Sequence, residues 1–402
     1  MATIAVLGTL DSKGAEHAFV AERIRARGHR TLLIDVGSGS PPSVQPDVTR
    51  EQVAAADGID LAKLLERKDR GECVSAMSTA APIYLAALAK AGKIDAVISL
   101  GGGGGTAIAT AAMRALPLGF PKVMVSTLAS GNTAPYLGTK DIVMIPSIAD
   151  VAGLNRLSRL IFSRAAGAIC GMVEAEIETT DARPLVVASM FGNTTACVTE
   201  AKRIIEEAGY EVLVFAATGN GGKAMEALIG SGLVAGVLDL TTTEWADELV
   251  GGNLGAGPHR LDAAGKAKVP AVIAPGCLDM VNFGEPTLVP ERFAGRTFYF
   301  HNPQVTLMRT TPTECAELGK IIAEKVNRYT APAAILIPKK AISVISAAGQ
   351  PFHDVSADEA LFAAIHACAK VPVYDFDEEI NSPVFARACA EKLLELMSAP
   401  KL

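Results

Sequence analysis

Residues 94–111, IDAVISLGGGGGTAIATA, decide how this chain is expected to fold. Residues 94–100 are branched and apolar, and the run is short enough for a strand buried on both faces of a sheet. The alanine-rich run after the glycines favours a helix, with Thr106 as its candidate cap. A buried strand followed at once by a helix is typical of an α/β fold.

The five glycines between strand and helix are the first candidate site. Peptide N–H groups without side chains in front of them, at the positive end of a helix dipole, can hold a phosphate or a carboxylate. The alternative is a tight turn that lets the helix pack close to the sheet, for which one or two glycines are enough. The sequence therefore predicts an anion site at Gly101, Gly102, Gly103, Gly104, Gly105 and Thr106.

Composition sets the class of protein. A chain of 402 residues predicts two domains, and 50% hydrophobic with only 5% aromatic residues suits α/β packing better than a β-sandwich. The net charge of -6 provides no basic surface, so we expect no direct nucleic-acid ligand. Seven cysteines without a CxxC pair indicate reduced thiols. With no signal core and no apolar run near about 18 residues, we expect a cytoplasmic protein with no membrane partner.

The N-terminal region reads as a βαβ unit. Residues 3–8 form a strand, residues 15–27 a helix and residues 31–37 a second strand, with TLDSKG at 9–14 as the turn after the first strand. Open α/β sheets bind ligands at the carboxyl ends of their strands. The candidate binding residues here are Gly8, Thr9, Asp11 and Lys13, with Thr79 before an alanine-rich helix expected from residue 81.

The second half restarts the same pattern. The acidic, irregular run VEAEIETTDARP reads as a linker and places a domain boundary near residue 180, giving domains 1–180 and 181–402. The run 184–195 followed by a helix and 209–222 repeats the arrangement at 4–14 and 28–39. We predict a mostly parallel sheet flanked by helices in each domain. Further strands are expected at 236–240, 271–276, 297–301, 333–338 and 371–376, and capping boxes at 311–314 and 356–359.

Polar residues follow several strands of the second half. If parallel strands gather these residues at one edge, a second cleft for a small polar ligand forms there. The catalytic candidates among them are Glu244, Cys277, His301 and His353. Together with Asp239, these side chains are consistent with a zinc site or with a Cys/His nucleophile pair, and spacing does not decide between the two. Each group of polar residues, taken alone, is also consistent with a capped turn.

Six motifs together resemble a known family. They are GTLDSKG (8–14), GGGGGT (101–106), LDLTTTE (238–244), PGCLDMVNFG (275–284), HNPQVTLMRTT (301–311) and GQPFHD (349–354). The chain resembles the family of the ATP-binding N-terminal domain of the tomato mosaic virus resistance protein and its uncharacterised bacterial homologues. The resemblance implies two Rossmann-like domains, ATP in the first, and a homodimer. The plant protein continues into a TIM-barrel-like domain, which we expect to be absent here, so a separate barrel protein is a candidate partner.

The sequence contains no complete nucleotide-binding motif of the two common kinds. GTLDSKG contains Lys13 but no GxxxxGK[ST], and Lys223 in GNGGKA precedes alanine, so neither is a Walker A loop. The first turn has Gly8 and Gly14 but lacks the third spaced glycine of a dinucleotide fingerprint. The fingerprint also needs an acid after the second strand, and Asp35 is placed there. Asp35 either contacts a ribose or simply ends its strand. ATP, with Mg²⁺ as candidate companion, is therefore favoured over NAD.

Three classes of function stay open at this point. One is a binding module for ATP and a small polar ligand. Another is a hydrolase or an ATP-dependent transferase or ligase that acts on a small acid or a sugar-derived metabolite. The last is a scaffold for a barrel partner.

Overall fold

The computed structural model describes residues 1–67, 69–176 and 183–398. The chain divides into two compact units, Met1–Glu178 (unit 1) and Thr179–Leu402 (unit 2). Each has an α/β architecture with a parallel sheet flanked by helices, which confirms the predicted fold class. The boundary predicted near residue 180 falls within residues 177–182, which lie outside the described residues.

Unit 1 alternates strands and helices along the chain. The elements are β1 (Thr3–Gly8), α1 (Leu10–Arg25), β2 (Arg30–Asp35), α2 (Arg50–Ala55), α3 (Leu61–Glu66), α4 (Arg70–Lys90), β3 (Ala96–Gly101), α5 (Gly103–Arg114), β4 (Lys122–Ser126), α6 (Ala134–Leu137), β5 (Val143–Pro146) and α7 (Arg156–Glu174).

The sheet of unit 1 has the order β2-β1-β3-β4-β5, with all pairs parallel. Its central strands are buried on both faces, which explains their continuous apolar sequences. Along β1, Leu7 packs on the face that carries Met77 of α4. Val6 packs on the opposite face with Phe162 of α7.

Three local predictions for unit 1 are wrong. TLDSKG is not a turn, because α1 already begins at Leu10 and bends at Lys13, where φ is -136° and ψ is 29°. Thr106 is not a cap, since α5 begins at Gly103 and the buried Thr106 hydroxyl lies 2.7 Å from Ser126 Oγ. Thr79 does not precede a helix but lies exposed within α4, with its hydroxyl donating to Ala76 O at 2.8 Å.

One helix in the described part of the chain, α4, is long and apolar enough to cross a membrane by length and composition. In this structure Met77, Ala80 and Leu85 of α4 are buried in the core of unit 1.

Unit 2 is larger and adds a small sheet. The elements are β6 (Leu185–Met190), α8 (Thr195–Glu207), β7 (Glu211–Ala216), α9 (Asn220–Ile229), β8 (Val234–Thr241), α10 (Glu244–Val250), α11 (Ala263–Ala267), β9 (Ala271–Gly276), β10 (Met280–Phe283), β11 (Phe298–Asn302), β12 (Val305–Arg309), α12 (Pro312–Val326), β13 (Ala333–Pro338), α13 (Val355–Cys368), β14 (Val373–Phe376) and α14 (Pro383–Ser398).

The main sheet of unit 2 has six parallel strands in the order β14-β13-β9-β8-β6-β7. The strand predicted at 297–301 is β11, which belongs instead to a separate antiparallel sheet, β10-β12-β11. The capping box at Thr311 is present. The second predicted box is wrong, because Asp354 caps α13 by accepting from Ala357 N at 3.0 Å.

Candidate functional site

A cavity of about 850 Å³ opens in unit 1 at the carboxyl edge of its sheet. The chain leaves β1 toward β2 on one side and leaves β3 toward β4 on the other, and ligands of open α/β sheets bind at this switch point. A residue that follows each of the five strands lines the cavity. From β1 to β5 along the chain, these residues are Thr9, Ser38, Gly102, Thr127 and Asp150.

Gly102, Gly103, Gly104 and Gly105, here called the glycine turn, form one wall of the cavity. Gly102 is the N-cap of the 12-residue helix α5, and no described side chain caps it. The first N–H groups of a helix have no partner within the helix, and they lie at the positive end of its dipole. A Cβ on Gly103 would meet no atom of the described residues within 4 Å, so the backbone is open on this side. The wall therefore offers unobstructed N–H donors to an anion.

Two cationic side chains line the same cavity. Arg70, the first residue of α4, is exposed, and its Nη2 lies 3.9 Å from the position of a Cβ on Gly104. Lys13 also lines the cavity, but its Nζ donates to the carbonyl oxygen of Val151. Arg70 is thus the cation more available to a ligand.

Acidic side chains line the cavity beside these cations. Asp11 accepts from Gly39 N at 2.8 Å and from Ser12 Oγ at 3.1 Å, and Asp69 caps α4 by accepting from Glu72 N at 3.0 Å. Among the described residues, no group of three or more His, Cys, Asp or Glu side chains is arranged to hold a metal ion. A Mg²⁺ ion at this place would need the phosphates of a ligand among its partners.

Several predicted binding residues in the described part of the chain are buried and do not line the cavity. Gly8, Gly101 and Thr106 are buried and are not among the described residues that line the cavity. Asp35 ends β2, because its Oδ1 accepts from Leu10 N at 3.1 Å and from Gly37 N at 2.8 Å. Burial raises the pKa of Asp35, against the effect of these two donors. Its Oδ2 is buried and has no hydrogen-bond partner among the described residues, so both roles expected for Asp35 stay open.

The glycine-rich turn of unit 2, at the start of α9, is occupied by the chain itself. Glu244 Oε1 accepts from Gly219 N at 2.7 Å and from Gly222 N at 3.1 Å. A Cβ on Gly222 would lie 2.2 Å from Glu244 Oε2, so this glycine makes room for a carboxylate. The position that an external anion would take at this helix end therefore holds an internal one.

Arg260 completes this buried network. Its Nε donates to Glu244 Oε2 at 2.6 Å, and its Nη2 donates to Asp239 Oδ1 at 2.6 Å. Arg260 is 1% exposed and Glu244 is 0% exposed. Burial raises the pKa of Glu244, and the charge of Arg260 opposes that rise. Glu244 thus lies in a closed ion-pair network with no open face toward a substrate.

The other three catalytic candidates differ in burial, and a small apolar cluster of unit 2 contains one of them. Cys277 is fully buried in it with Phe352, and burial raises the pKa of the thiol well above its usual value. A protonated, inaccessible thiol is a poor nucleophile. His301 and His353 are exposed, the first 6.3 Å from the ring centre of Tyr299 and the second with Nδ1 3.3 Å from Ser346 O.

The premise that one parallel sheet gathers all four candidates is wrong, because His301 lies on the antiparallel strand β11. In the described residues they form no metal-binding group, and no hydrogen bond joins either imidazole to Cys277. Unit 1 therefore contains the better candidate site.

Comparison with known proteins identifies the family. Models of the uncharacterised protein family UPF0261 match residues 2–178 with their N-terminal domain and residues 183–397 with their C-terminal domain. The chain belongs to the UPF0261 family. A UPF0261 protein from Clostridium tetani is 49% identical over 98% of both chains, which confirms the expected kinship with bacterial homologues.

Plant relatives are also similar to this UPF0261 protein. The ToMV resistance protein Tm-1(GCR237) of Solanum lycopersicum is 40% identical over 81% of this chain and 45% of the plant protein. Among solved structures, UDP-N-acetylglucosamine 2-epimerase from Rickettsia bellii aligns with a TM-score of 0.22 and 12% identity over 98% of this chain and 95% of its own. That likeness is too slight to indicate function.

Sequence reasoning missed several residues that line the cavity of unit 1. Ser38 follows the strand predicted at 31–37, so the rule that ligands bind at strand carboxyl ends was enough to find it. Thr127 and Asp150 follow β4 and β5 in the same way. Arg70 gave no such signal, because it lies more than 30 residues before the glycine turn and meets it only through the packing of α4 on α5.

Proposed function

We propose that unit 1 binds ATP, with the phosphates on the glycine turn. The observation that carries the proposal is the position of this turn. Its N–H donors begin a 12-residue helix and line a cavity at the switch point of the sheet. Phosphate groups bind at such helix ends in other α/β folds.

Size and two cationic side chains support this choice, although Asp11, Asp69 and Asp150 line the same cavity. A cavity of about 850 Å³ lies in the range of roughly 300–1,000 Å³ that small-molecule sites occupy. Arg70 and Lys13 add positive charge beside the helix dipole. The choice of ATP among phosphate compounds rests on the resemblance to the family of an ATP-binding domain. Mg²⁺ would arrive with the nucleotide, since it prefers phosphate oxygens, water and one or two carboxylates.

A valine at position 103 tests the proposal. Gly103 is not among the glycines with positive φ, and its Cβ would point into open space, so G103V is expected to fold. The branched side chain would stand in the path of the phosphates and weaken ATP binding by about 2 kcal/mol or more. Calorimetric titration measures the loss. The control is G171V, an exposed helical glycine of unit 1 with open space around it, which is expected to bind ATP normally. Unchanged affinity in folded G103V would reject the phosphate position.

A second candidate is an enzyme that acts on a phosphorylated, sugar-derived metabolite. Hydroxyl and carboxylate groups of Ser12, Ser38, Ser40, Thr127 and Asp150 line the cavity, and of the described lining residues none is aromatic. Such a wall suits a hydroxyl-rich ligand better than a stacked base. Competition between ATP and a pentose phosphate separates the candidates. If the pentose phosphate binds more tightly than ATP, the result favours an enzyme that acts on a sugar-derived metabolite. If ATP binds at least tenfold more tightly, the result supports nucleotide binding.

A further inference from the structure

The side chain of His17 contacts both of the chain segments that form the walls of the cavity. It lies on α1 and is fully buried. Its Nδ1 is 2.7 Å from the carbonyl oxygen of Lys13, at the bend of α1, and its Nε2 is 3.3 Å from the amide nitrogen of Leu100. Lys13 belongs to one wall of the cavity, and Leu100 lies two residues before the glycine turn.

The contact with Leu100 extends the sheet beyond the end of β1. The ladder between β1 and β3 ends at the pair Leu7–Ser99, so Leu100 is the next residue along β3. There the imidazole provides the acceptor that a strand would otherwise supply. A Cβ on Gly8 would lie 2.1 Å from His17 Nε2, so Gly8 makes room for the ring rather than for a phosphate.

Two contacts favour one state of the ring. The Leu100 amide can only donate, and the Lys13 carbonyl, at the shorter distance, can only accept, which favours the proton on Nδ1 and the lone pair on Nε2. The Leu7 carbonyl also faces the ring and acts against this tautomer where it lies near Nε2. Burial lowers the pKa of His17, which keeps the ring neutral although Glu16 lies beside it on α1. A protonated ring would have no acceptor for Leu100.

We propose that His17 is a positioning residue of the cavity, whose neutral ring holds the wall formed by Thr9, Asp11 and Lys13 beside the glycine turn and so sets the affinity for a phosphate ligand. The effect on affinity rests on the proposed function. The effect on the geometry of the turn does not depend on any ligand.

The test compares wild type with H17F, whose ring fills similar space without either hydrogen bond. In ¹⁵N NMR spectra of the wild type we expect a protonated Nδ1 and an unprotonated Nε2. Without ligand, the amide signals of Leu100 and the glycine turn should shift in H17F, while those of Ala112 and Met113 at the far end of α5 stay in place. ATP affinity should fall by about tenfold. H366F, which changes an exposed helical histidine of unit 2, should match the wild type.

Conservative variants separate positioning from mere stability. Glutamine keeps an acceptor within reach of Leu100, and asparagine keeps a donor within reach of Lys13, so H17Q should recover more ATP affinity than H17N. These two variants carry the test if H17F does not fold. A wild-type ring protonated on Nε2, or variants with unchanged turn signals and unchanged affinity, would overturn the proposal. If the wild type binds no ATP, the proposed function fails, and the tautomer and the turn signals alone decide the role of His17.

Discussion

At the scale of single residues, the two cations of the cavity differ in how far they are already committed. Lys13 Nζ donates to Val151 O, whereas the Arg70 guanidinium lies exposed beside the glycine turn. A ligand phosphate can use Arg70 directly, but it must share Lys13 with a backbone carbonyl. Arginine also offers paired donors that match phosphate geometry.

Alanine substitutions of these two residues should therefore have graded effects. We expect R70A and K13A each to reduce affinity for ATP more than for adenosine, because a positive charge acts on phosphate and not on the base. The loss should be larger for R70A, on the order of tenfold. Titrations of both ligands measure it, with K93A at an exposed position of unit 1 as the control. Equal losses for ATP and adenosine would place these cations away from the phosphates.

At the scale of elements, the helix ends of the two units use the same physics in opposite ways. In unit 1 the N-terminus of α5 opens into a cavity. In unit 2 the N-terminus of α9 receives the carboxylate of Glu244, which Arg260 also binds. A helix end attracts negative charge in both cases, but the source of that charge differs.

Replacing Glu244 tests whether its carboxylate stabilises the N-terminus of α9 and the buried Arg260. E244A leaves the Arg260 charge partly uncompensated in a buried place and frees two amide donors, so we expect unfolding free energy to fall by about 3–5 kcal/mol. E244Q keeps an oxygen for Gly219 and Gly222 and should lose less. Urea unfolding gives both values, and ATP titration under native conditions should show unchanged affinity. If E244A is as stable as the wild type, the network does not support unit 2.

At the scale of the whole molecule, each unit has its own core. The buried apolar clusters of unit 1 contain residues from its own chain segment, such as Leu7 and Phe162. Those of unit 2 are formed in the same way around residues such as Ile273 and Leu336. All residues that line the proposed ATP cavity also belong to unit 1.

Residues 1–176 alone should therefore fold and bind ATP within about threefold of the full chain, a difference of less than 1 kcal/mol. Circular dichroism and calorimetric titration check folding and affinity, and residues 183–398 serve as the control that should bind no ATP. A folded segment 1–176 with strongly reduced affinity would mean that unit 2 contributes to the site.

Four further expectations from the sequence stay predictions. They are the homodimer, the barrel partner, the cytoplasmic location and a second ligand in unit 2.

Local sequence by itself determined the parallel strands and the glycine turn, but not where α1 and α4 begin. Branched apolar runs such as residues 94–100 are buried on both faces of a parallel sheet, and only glycine leaves the backbone open at positions such as Gly103. The family was also evident from short motifs such as GGGGGT, and family models match both halves of the chain.

Only the tertiary structure decided which side chains meet. Long-range contacts join the ring of His17 to the amide of Leu100 and place Arg70 beside Gly104. Another places Glu244 on the amides of Gly219 and Gly222. The four catalytic candidates were predicted from polar residues after strands, but a hairpin placed His301 on a separate antiparallel sheet and burial enclosed Cys277 and Glu244. A polar residue after a strand is fixed by the local sequence, whereas its access to a ligand depends on the direction of the side chain and on what packs over it.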